Sequence, residues 1–166
     1  MIGVTTSFTK CTTTQQSQIV TALNAADSYA GNAKSYFGAH SATNVSARYS
    51  TWFGAVNATR YTTGKNHFDA IQAAFATKPI TVDCGCKKTY YAYVYPTQPY
   101  KIYVCKAFWS APVTGTDSRA GTLIHEMSHF NVVAGTDDHV YGQSGAKSLA
   151  ISNPDNALDN ADNHEY

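Results

Sequence analysis

The residues with the clearest chemical potential are His125, Glu126 and His129, which form the only HExxH pattern in the sequence. Residues four apart on a helix lie on one face, so the two histidines can offer imidazole nitrogens to a single metal ion. Zinc suits this pair, and Glu126 is placed to reach a water on the metal without becoming a ligand. Because HExxH also occurs by chance, the surrounding residues decide how much weight the zinc interpretation carries.

The flanks of this motif are typical of a buried helix. Apolar side chains surround the histidines at Leu123, Ile124, Met127 and Phe130, as expected of a helix that carries a site inside the protein. Residues 116–118, Thr-Asp-Ser, offer side chains that can cap the start of a helix. The motif is therefore predicted to lie on a buried helix.

A catalytic zinc ion takes three protein ligands and keeps the fourth position for water, so a third ligand is needed. The pattern HExxHxxGxxH would require Gly at 132 and His at 135, where this chain has Val132 and Gly135. A glutamate ligand far downstream could only be Glu165, close to the end of the sequence. Residues 135–142, Gly-Thr-Asp-Asp-His-Val-Tyr-Gly, offer two carboxylates, an imidazole and a phenol. The third ligand is expected in this segment.

The pairing of HExxH with GTxDxxYG resembles the signature of the aspzincins, the deuterolysin family of zinc endopeptidases. The resemblance implies that Asp138 is the third ligand, that one zinc ion binds per chain, and that the phenol of Tyr141 stabilises the transition state. His139 is an alternative donor for that last role. In this chemistry the metal activates a water and polarises the scissile carbonyl, and Glu126 acts as general base.

The lysine-specific branch of this family is similar to the chain over nearly its whole length, most weakly before Tyr49. The similar segments are residues 92–96, 105–109, 111–112, 114–118 and 160–166. The resemblance implies a mostly helical, zincin-like fold and cleavage on the N-terminal side of lysine in peptide or protein substrates. It also implies secretion as a zymogen whose inhibitory propeptide is removed.

Four acidic residues near the end of the sequence bear on specificity. Asp155, Asp159, Asp162 and Glu165 recur at helical spacing, which predicts one acidic stripe. A solvated acidic face is the ordinary explanation, and a pocket for a cationic substrate side chain is the alternative. The resemblance implies that Asp162 and Glu165 line the pocket for the lysine that follows the cleaved bond.

Two other functions remain open. Within the same enzyme class, the rival is a deuterolysin-type endopeptidase of broad specificity. Outside it, the rival is a catalytically inactive secreted module that binds zinc structurally. Glu126 and Tyr141 favour an enzyme, because an inactive module is expected to lose the general base or the phenol first.

The four cysteines indicate disulfide bonds and an oxidising compartment. Cys84 and Cys86 are one residue apart and point the same way on a strand, so they are not expected to join each other. Each then pairs with Cys11 or Cys105, in either of two arrangements. The family resemblance implies Cys11–Cys84 and Cys86–Cys105.

The spacing of apolar residues predicts an α+β fold in which a small antiparallel sheet precedes the motif helix. Helices are predicted at residues 12–38, through Tyr49 to Val56, through Phe68 to Phe75, at 144–151 and from Pro154, with Gly64 separating the second and third. Strands are predicted at residues 80–82, 90–95 and 102–104. The segment 91–95 is a candidate edge strand along which an extended substrate could pair.

Length and charge limit the remaining functions. The 166 residues predict a single domain over 1–166. The family resemblance implies that it is the catalytic domain of the mature form, without its propeptide. Charged residues make up 14% and the formal net charge is +1, which argues against nucleic-acid and membrane-surface partners. The protein is expected to be a secreted monomer.

Overall fold

The computed structural model describes residues 6–166, so residues 1–5 of the predicted domain lie outside the description. The helices are α1 (Thr13–Ala39), α2 (Ala47–Phe53), α3 (Ala58–Thr77), α4 (Lys106–Ser110), α5 (Arg119–His129), α6 (Gly142–Ser152), α7 (Pro154–Leu158) and α8 (Ala161–Glu165). The strands are β1 (Thr6–Thr9), β2 (Ile80–Asp83), β3 (Ala92–Tyr93) and β4 (Lys101–Val104). The predicted α+β, mostly helical class is confirmed.

The long helix α1 packs behind the HExxH helix. Its N-terminus is closed by a capping box, in which Thr12 accepts from the Gln15 backbone and the Gln15 side chain accepts from the Thr12 backbone. Ile19, Leu23 and Ala26 recur on one face and are fully buried. This face packs against α3 and α5, so α1 supports the helix that carries the HExxH motif.

The prediction that Gly64 separates two helices is wrong, because Gly64 lies inside α3. A Cβ atom built at this position would come within 3.1 Å of the Phe37 ring. A glycine inside α3 is therefore explained by the close approach of α1, where even a methyl group would crowd the Phe37 ring. The actual break falls at residues 54–57, where Gly54 has a left-handed φ of 77° and Asn57 caps α3.

The sheet is mixed rather than antiparallel, which corrects the prediction. Its strand order is β1-β2-β4-β3, with parallel β1–β2 and β2–β4 pairs and one antiparallel β3–β4 pair. A parallel pair needs a long crossover, and helices α1 to α3 supply it between β1 and β2. The strand β1 was not predicted. β3 is only two residues long and forms one edge of the sheet, as predicted for part of the segment 91–95.

The predicted acidic stripe near the end of the chain is also wrong. Asp155 lies on α7, whereas Asp162 and Glu165 lie on the separate helix α8. Asp155 is exposed and contacts Arg60 at 3.5 Å. Asp159 follows α7 and contacts His139 at 2.8 Å. Only Asp162 and Glu165 point toward the HExxH helix.

Two disulfide bonds connect the sheet to its surroundings, Cys11–Cys84 and Cys86–Cys105. These are the pairs that the family resemblance implied. The first joins the segments that follow β1 and β2, and the second joins the β2–β3 loop to the start of α4. None of the helices in residues 6–166 is long and apolar enough to cross a membrane.

Candidate metal centre and substrate cleft

The HExxH motif lies on α5, whose start is fixed at two points. The Ser118 hydroxyl accepts a hydrogen bond from the Gly121 backbone and caps the helix. The guanidinium of Arg119 donates to the carbonyls of Phe108 and Trp109 at 3.1 and 2.6 Å. The helix is buried from Ala120 to His129, as the apolar flanks predicted.

A turn after α5 returns the chain to the two histidines. Gly135 has a left-handed φ of 60°, which suits glycine, and its N–H donates to the Phe130 carbonyl at 3.0 Å. The next N–H, of Thr136, donates to the Ser128 carbonyl at 3.0 Å. The side chains of Ser128 and Thr136 are also hydrogen-bonded, at 2.6 Å. The turn therefore brings Asp138 in front of α5.

Three donor atoms converge in front of α5. One oxygen of Asp138 lies 3.0 Å from Nε2 of His125 and 3.2 Å from Nε2 of His129. Zinc bonds of ~2.0–2.1 Å in a tetrahedron require ligand atoms about 3.3 Å apart. The separations and the N/N/O donor set therefore fit a zinc ion.

Both histidines are oriented through their other ring nitrogen. Nδ1 of His129 lies 2.7 Å from the Thr136 carbonyl, which can only accept. Nδ1 of His125 lies 2.5 Å from an Asp162 carboxylate oxygen. When Nδ1 donates in each case, the Nε2 lone pair faces the metal position, which is the arrangement usual for metal-binding histidines.

The charges in this cluster favour a cation. Burial acts to raise the pKa of Asp138, but hydrogen bonds to His125 and His129 outweigh it and hold that pKa well below its usual range. Burial likewise acts to lower the pKa of His125, but Asp138, Asp162 and Glu165 raise it well above its usual value. The carboxylates of Asp138, Asp162 and Glu165 around His125 provide the negative environment that a divalent cation needs.

Glu126 lies beside the three donors without joining them. One of its oxygens is 3.9 Å from Nε2 of His125, and the residue is 5% exposed. Burial raises the pKa of Glu126, while the two histidines lower it. A buried carboxyl group with a raised pKa is suited to accept and return a proton near neutral pH.

Tyr141 lies at the mouth of the site. Its ring stacks on that of His125, with centroids 6.2 Å apart, and the residue is 69% exposed. Partial burial of the phenol and the neighbouring Asp138 carboxylate raise the pKa of Tyr141 to about 12. The hydroxyl group therefore keeps its proton at neutral pH and can donate a hydrogen bond.

The three donors, Glu126 and Tyr141 open onto a cleft of about 490 Å³. One wall is the segment 90–94, which contains the edge strand β3. The carboxylates that line the cleft are those of Asp117, Glu126, Asp138, Asp162 and Glu165. Within the described residues, the lining contains no lysine or arginine. The cleft is thus strongly acidic and bordered by a strand edge.

Asp162 and Glu165 occupy the cleft together but make different contacts. Asp162 has both oxygens engaged, one with His125 and the other accepting from the Gly142 backbone at 2.6 Å. Glu165 lies 3.5 Å from Nδ1 of His125. Burial, opposed by His125 and reinforced by Asp162, raises the pKa of Glu165 to about 7. Glu165 is therefore the freer of the two carboxyl groups.

Several histidines do not take part in this cleft. His139, the alternative oxyanion donor, pairs with Asp159 and does not line the cleft. His40 stacks on Tyr36, and His67 and His164 contact each other at 2.9 Å.

Sequence reasoning missed the link from Asp162 to His125, the link from the Thr136 carbonyl to His129, and the place of Asp117 in the cleft wall. The sequence indicated Asp117 only as a possible helix cap, and in the structure Ser118 caps α5. A backbone carbonyl gives no sequence signal at all. These contacts therefore became visible only in the structure.

Comparison with known proteins agrees with this geometry. The profile of the family described as lysine-specific metallo-endopeptidase matches residues 38–166. An extracellular protease from Aeromonas hydrophila is 55% identical, covering 99% of this chain and 47% of that protein. A peptidyl-Lys metalloendopeptidase from Pleurotus ostreatus is 50% identical, covering 96% of this chain and 94% of that protein. A solved zinc peptidase from Grifola frondosa is 45% identical and superposes with a TM-score of 0.89, covering 94% of each chain.

The fold is thus that of a zinc metallopeptidase. The chain belongs to the lysine-specific metallo-endopeptidase family, whose members include proteins named for cleavage at lysine. It spans about half the length of two of these curated relatives, 47% of the Aeromonas hydrophila protein and 46% of the one from Armillaria mellea. Lysine specificity fits these relatives, and zinc fits the candidate metal cluster.

Proposed function

We propose that this chain is a secreted zinc endopeptidase that cleaves on the N-terminal side of lysine. The observation that carries the proposal is the cluster of His125, His129 and Asp138 in a cleft lined by further carboxylates. We assign one zinc ion per chain to these three ligands. Residues 1–166 act as one catalytic domain on protein or peptide substrates.

The residues around the metal position divide the chemistry among them. A bound zinc ion would supply a Lewis acid and lower the pKa of a water toward ~7. Glu126 takes the proton of the attacking water and returns it to the leaving amine. Tyr141 donates a hydrogen bond to the developing oxyanion, and Asp162 keeps His125 in the orientation that the metal needs.

The cleft wall aligns the substrate. The strand β3 pairs with β4 on one side, and its other side lines the cleft. An extended peptide can add to this edge through main-chain hydrogen bonds, which do not depend on its sequence. Specificity then has to come from a side-chain pocket.

The lysine pocket is assigned to Asp162 and Glu165. A lysine ammonium would relieve the repulsion between these carboxylates while its apolar stem packs on the cleft wall. Because Asp162 already serves His125 and Gly142, Glu165 is the main contact for the ammonium. A guanidinium is planar and larger than an ammonium, so a pocket shaped around a compact point charge would exclude arginine by shape.

Secretion is supported by the two disulfide bonds and by the name of the Aeromonas hydrophila relative. The precursor is proposed to carry an inhibitory propeptide, and the mature protein to act as a monomer. Neither nucleic acid nor a membrane is proposed as a partner.

The test is a digest of an unfolded protein rich in lysine and arginine, with and without chelator. Cuts should fall before lysine, and chelator should abolish them. Glu165→Gln should weaken the lysine preference at normal zinc content. Asp162→Asn should lower both zinc affinity and turnover, because it disturbs His125; losses of this type are about 10–100-fold. Cuts scattered before apolar residues would instead favour a broad deuterolysin-type enzyme, and the absence of cuts would favour an inactive zinc-binding module.

A further inference from the structure

Tyr166 separates the acidic cleft from a second cavity of about 710 Å³ on its other side. Glu165 and Tyr166 line both spaces, so these two residues form the partition between them. The position of the partition sets the depth of the cleft beside Glu165. What holds Tyr166 therefore also determines the shape of the proposed lysine pocket.

Three contacts hold Tyr166. Its hydroxyl donates a short hydrogen bond to the Asp117 carboxylate. Its backbone N–H donates to the Asp162 carbonyl at 3.1 Å, which closes the last turn of α8. Its ring lies 5.5 Å from that of Trp52, between centroids. The hydroxyl contact is the only one of the three that crosses to the loop before α5.

That loop is itself fixed. The Gly115 backbone donates to the Tyr29 hydroxyl at 3.1 Å, and the Gln143 side chain donates to the Thr116 hydroxyl at 3.1 Å. Asp117 has a left-handed φ of 50°, a conformation that aspartate adopts more readily than most residues. Within residues 6–166, Asp117 forms no ion pair with a lysine or arginine. Its carboxylate is thus held in place and available to accept from Tyr166.

Glu165 lies against α5 and directly precedes Tyr166 in the chain. A Cβ atom at Gly121 would lie 3.0 Å from both Cγ and Oε1 of Glu165, so the glutamate already fills the space beside the helix. The α5 backbone therefore limits movement of Glu165 toward this helix. Releasing Tyr166 would let Glu165 move in the opposite direction, which would enlarge the pocket.

We propose that Tyr166, anchored by Asp117, is a positioning residue that holds Glu165 in the lysine pocket and so selects lysine over arginine. The inference rests on the proposed function, since it assigns how that same pocket obtains its specificity. Tyr166 acts through Glu165. Asp117 acts as the hydrogen-bond acceptor that anchors the Tyr166 hydroxyl.

The test compares two peptides that differ only in having Lys or Arg after the scissile bond. Tyr166→Phe and Asp117→Ala should each lower kcat/KM for the lysine peptide about tenfold. The loss should lie mainly in KM, because the ammonium contact exists before and during the reaction. The ratio of kcat/KM for the lysine peptide to kcat/KM for the arginine peptide should fall as well. Asp117→Asn should lower kcat/KM for the lysine peptide less than Asp117→Ala does, because the asparagine oxygen still accepts from Tyr166.

Tyr36→Phe is the matched control, since it removes a hydroxyl hydrogen-bonded to Ser46 at 2.9 Å, outside the cleft. Zinc content and Tm are measured for every variant to show that it is folded and loaded. An unchanged lysine-to-arginine ratio in Tyr166→Phe would overturn the inference. So would an Asp117→Asn variant as impaired as Asp117→Ala, which would make the charge of Asp117 the determinant.

A second readout separates this inference from the proposed function. The same substitutions are placed in the zinc-loaded Glu126→Gln protein, and the Kd for each peptide is measured by calorimetry. Tyr166→Phe should bring the Kd for the lysine peptide closer to the Kd for the arginine peptide. An unchanged ratio of the two Kd values would refute the positioning role. If the wild type does not cleave the lysine peptide, the proposed function fails and the Kd ratio alone decides the inference.

Discussion

At the scale of single residues, the proposed function assigns metal binding to His125, His129 and Asp138 and proton transfer to Glu126. Asp138→Ala should lose zinc, because it removes one of three donors. Glu126→Gln should keep zinc and lose turnover, because an amide cannot accept the proton. Metal analysis and a peptidase assay measure both. Asp137→Ala is the neighbouring control and should keep both properties.

The ligand assignment would be wrong if Asp138→Ala retained full zinc while Glu165→Ala lost it. Wild-type rates in Glu126→Gln would contradict the proposed mechanism. The two substitutions probe different atoms of one cluster, so each result stands independently of the other.

A second prediction at this scale concerns the Tyr141 hydroxyl. Its raised pKa keeps it protonated, and it lies at the mouth of the cleft where the oxyanion would form. Tyr141→Phe should therefore lower kcat by about 10²–10³ with little change in KM or zinc content. Tyr95→Phe, outside the cleft lining, is the control. A rise in KM at constant kcat would argue for a role in substrate binding alone.

At the scale of elements, periodicity and capping predicted the long helices well. The helix predicted at residues 12–38 is confirmed as α1, with Thr12 as its cap. The prediction at Gly64 was wrong because glycine has a low helix propensity and is therefore interpreted as a helix end. The sequence does not show that α1 packs closely against this position. The acidic stripe failed for a related reason, since the helical spacing of the acidic residues continues across the turn between α7 and α8 although the helix itself does not.

Two helical glycines give a prediction at this scale. Gly31 in α1 has no atom within 4 Å of a built Cβ, so Gly31→Ala should stabilise the protein by up to ~1 kcal/mol through helix propensity. Gly121→Ala in α5 gains the same propensity but would push against Glu165 at 3.0 Å. It should raise KM for lysine peptides. Denaturant unfolding and steady-state kinetics on both variants check this, and equal KM values would show that Glu165 yields without cost.

At the scale of the whole molecule, the sequence predicted the class and the candidate residues better than their connections. The mixed sheet could not be predicted, because β1 and β2 are separated by three helices and local alternation does not reveal their parallel pairing. The spacing of the cysteines did not decide whether Cys84 pairs with Cys11 or with Cys105. The contact of Asp162 with His125 joins residues 37 apart, and neither residue type specifies the other as its partner.

The last prediction concerns stability against acid, which depends on the buried His164 and its half-buried partner His67, outside the proposed metal site. Nδ1 of His67 lies 2.9 Å from Nε2 of His164, and Nδ1 of His164 lies 3.0 Å from the Asn160 carbonyl. Burial, reinforced by neighbouring His67, lowers the pKa of His164 to about 3. Burial also lowers the pKa of His67, although Asp159 opposes it.

Because the folded pKa of His164 lies below its unfolded value, the unfolded chain binds a proton that the folded chain does not between about pH 6.5 and 3. Stability from His164 is therefore present above pH 6.5 and is lost as the pH falls through this window, by about 2 kcal/mol at pH 5. Denaturant unfolding at pH 7.5 and pH 5, with chelator present and disulfides intact, measures the loss without zinc release. His164→Gln should flatten this dependence, whereas the control His40→Gln, which does not contact this pair, should retain it. An unchanged slope in His164→Gln would show that other groups, the metal-site carboxylates first among them, set the acid limit of the fold.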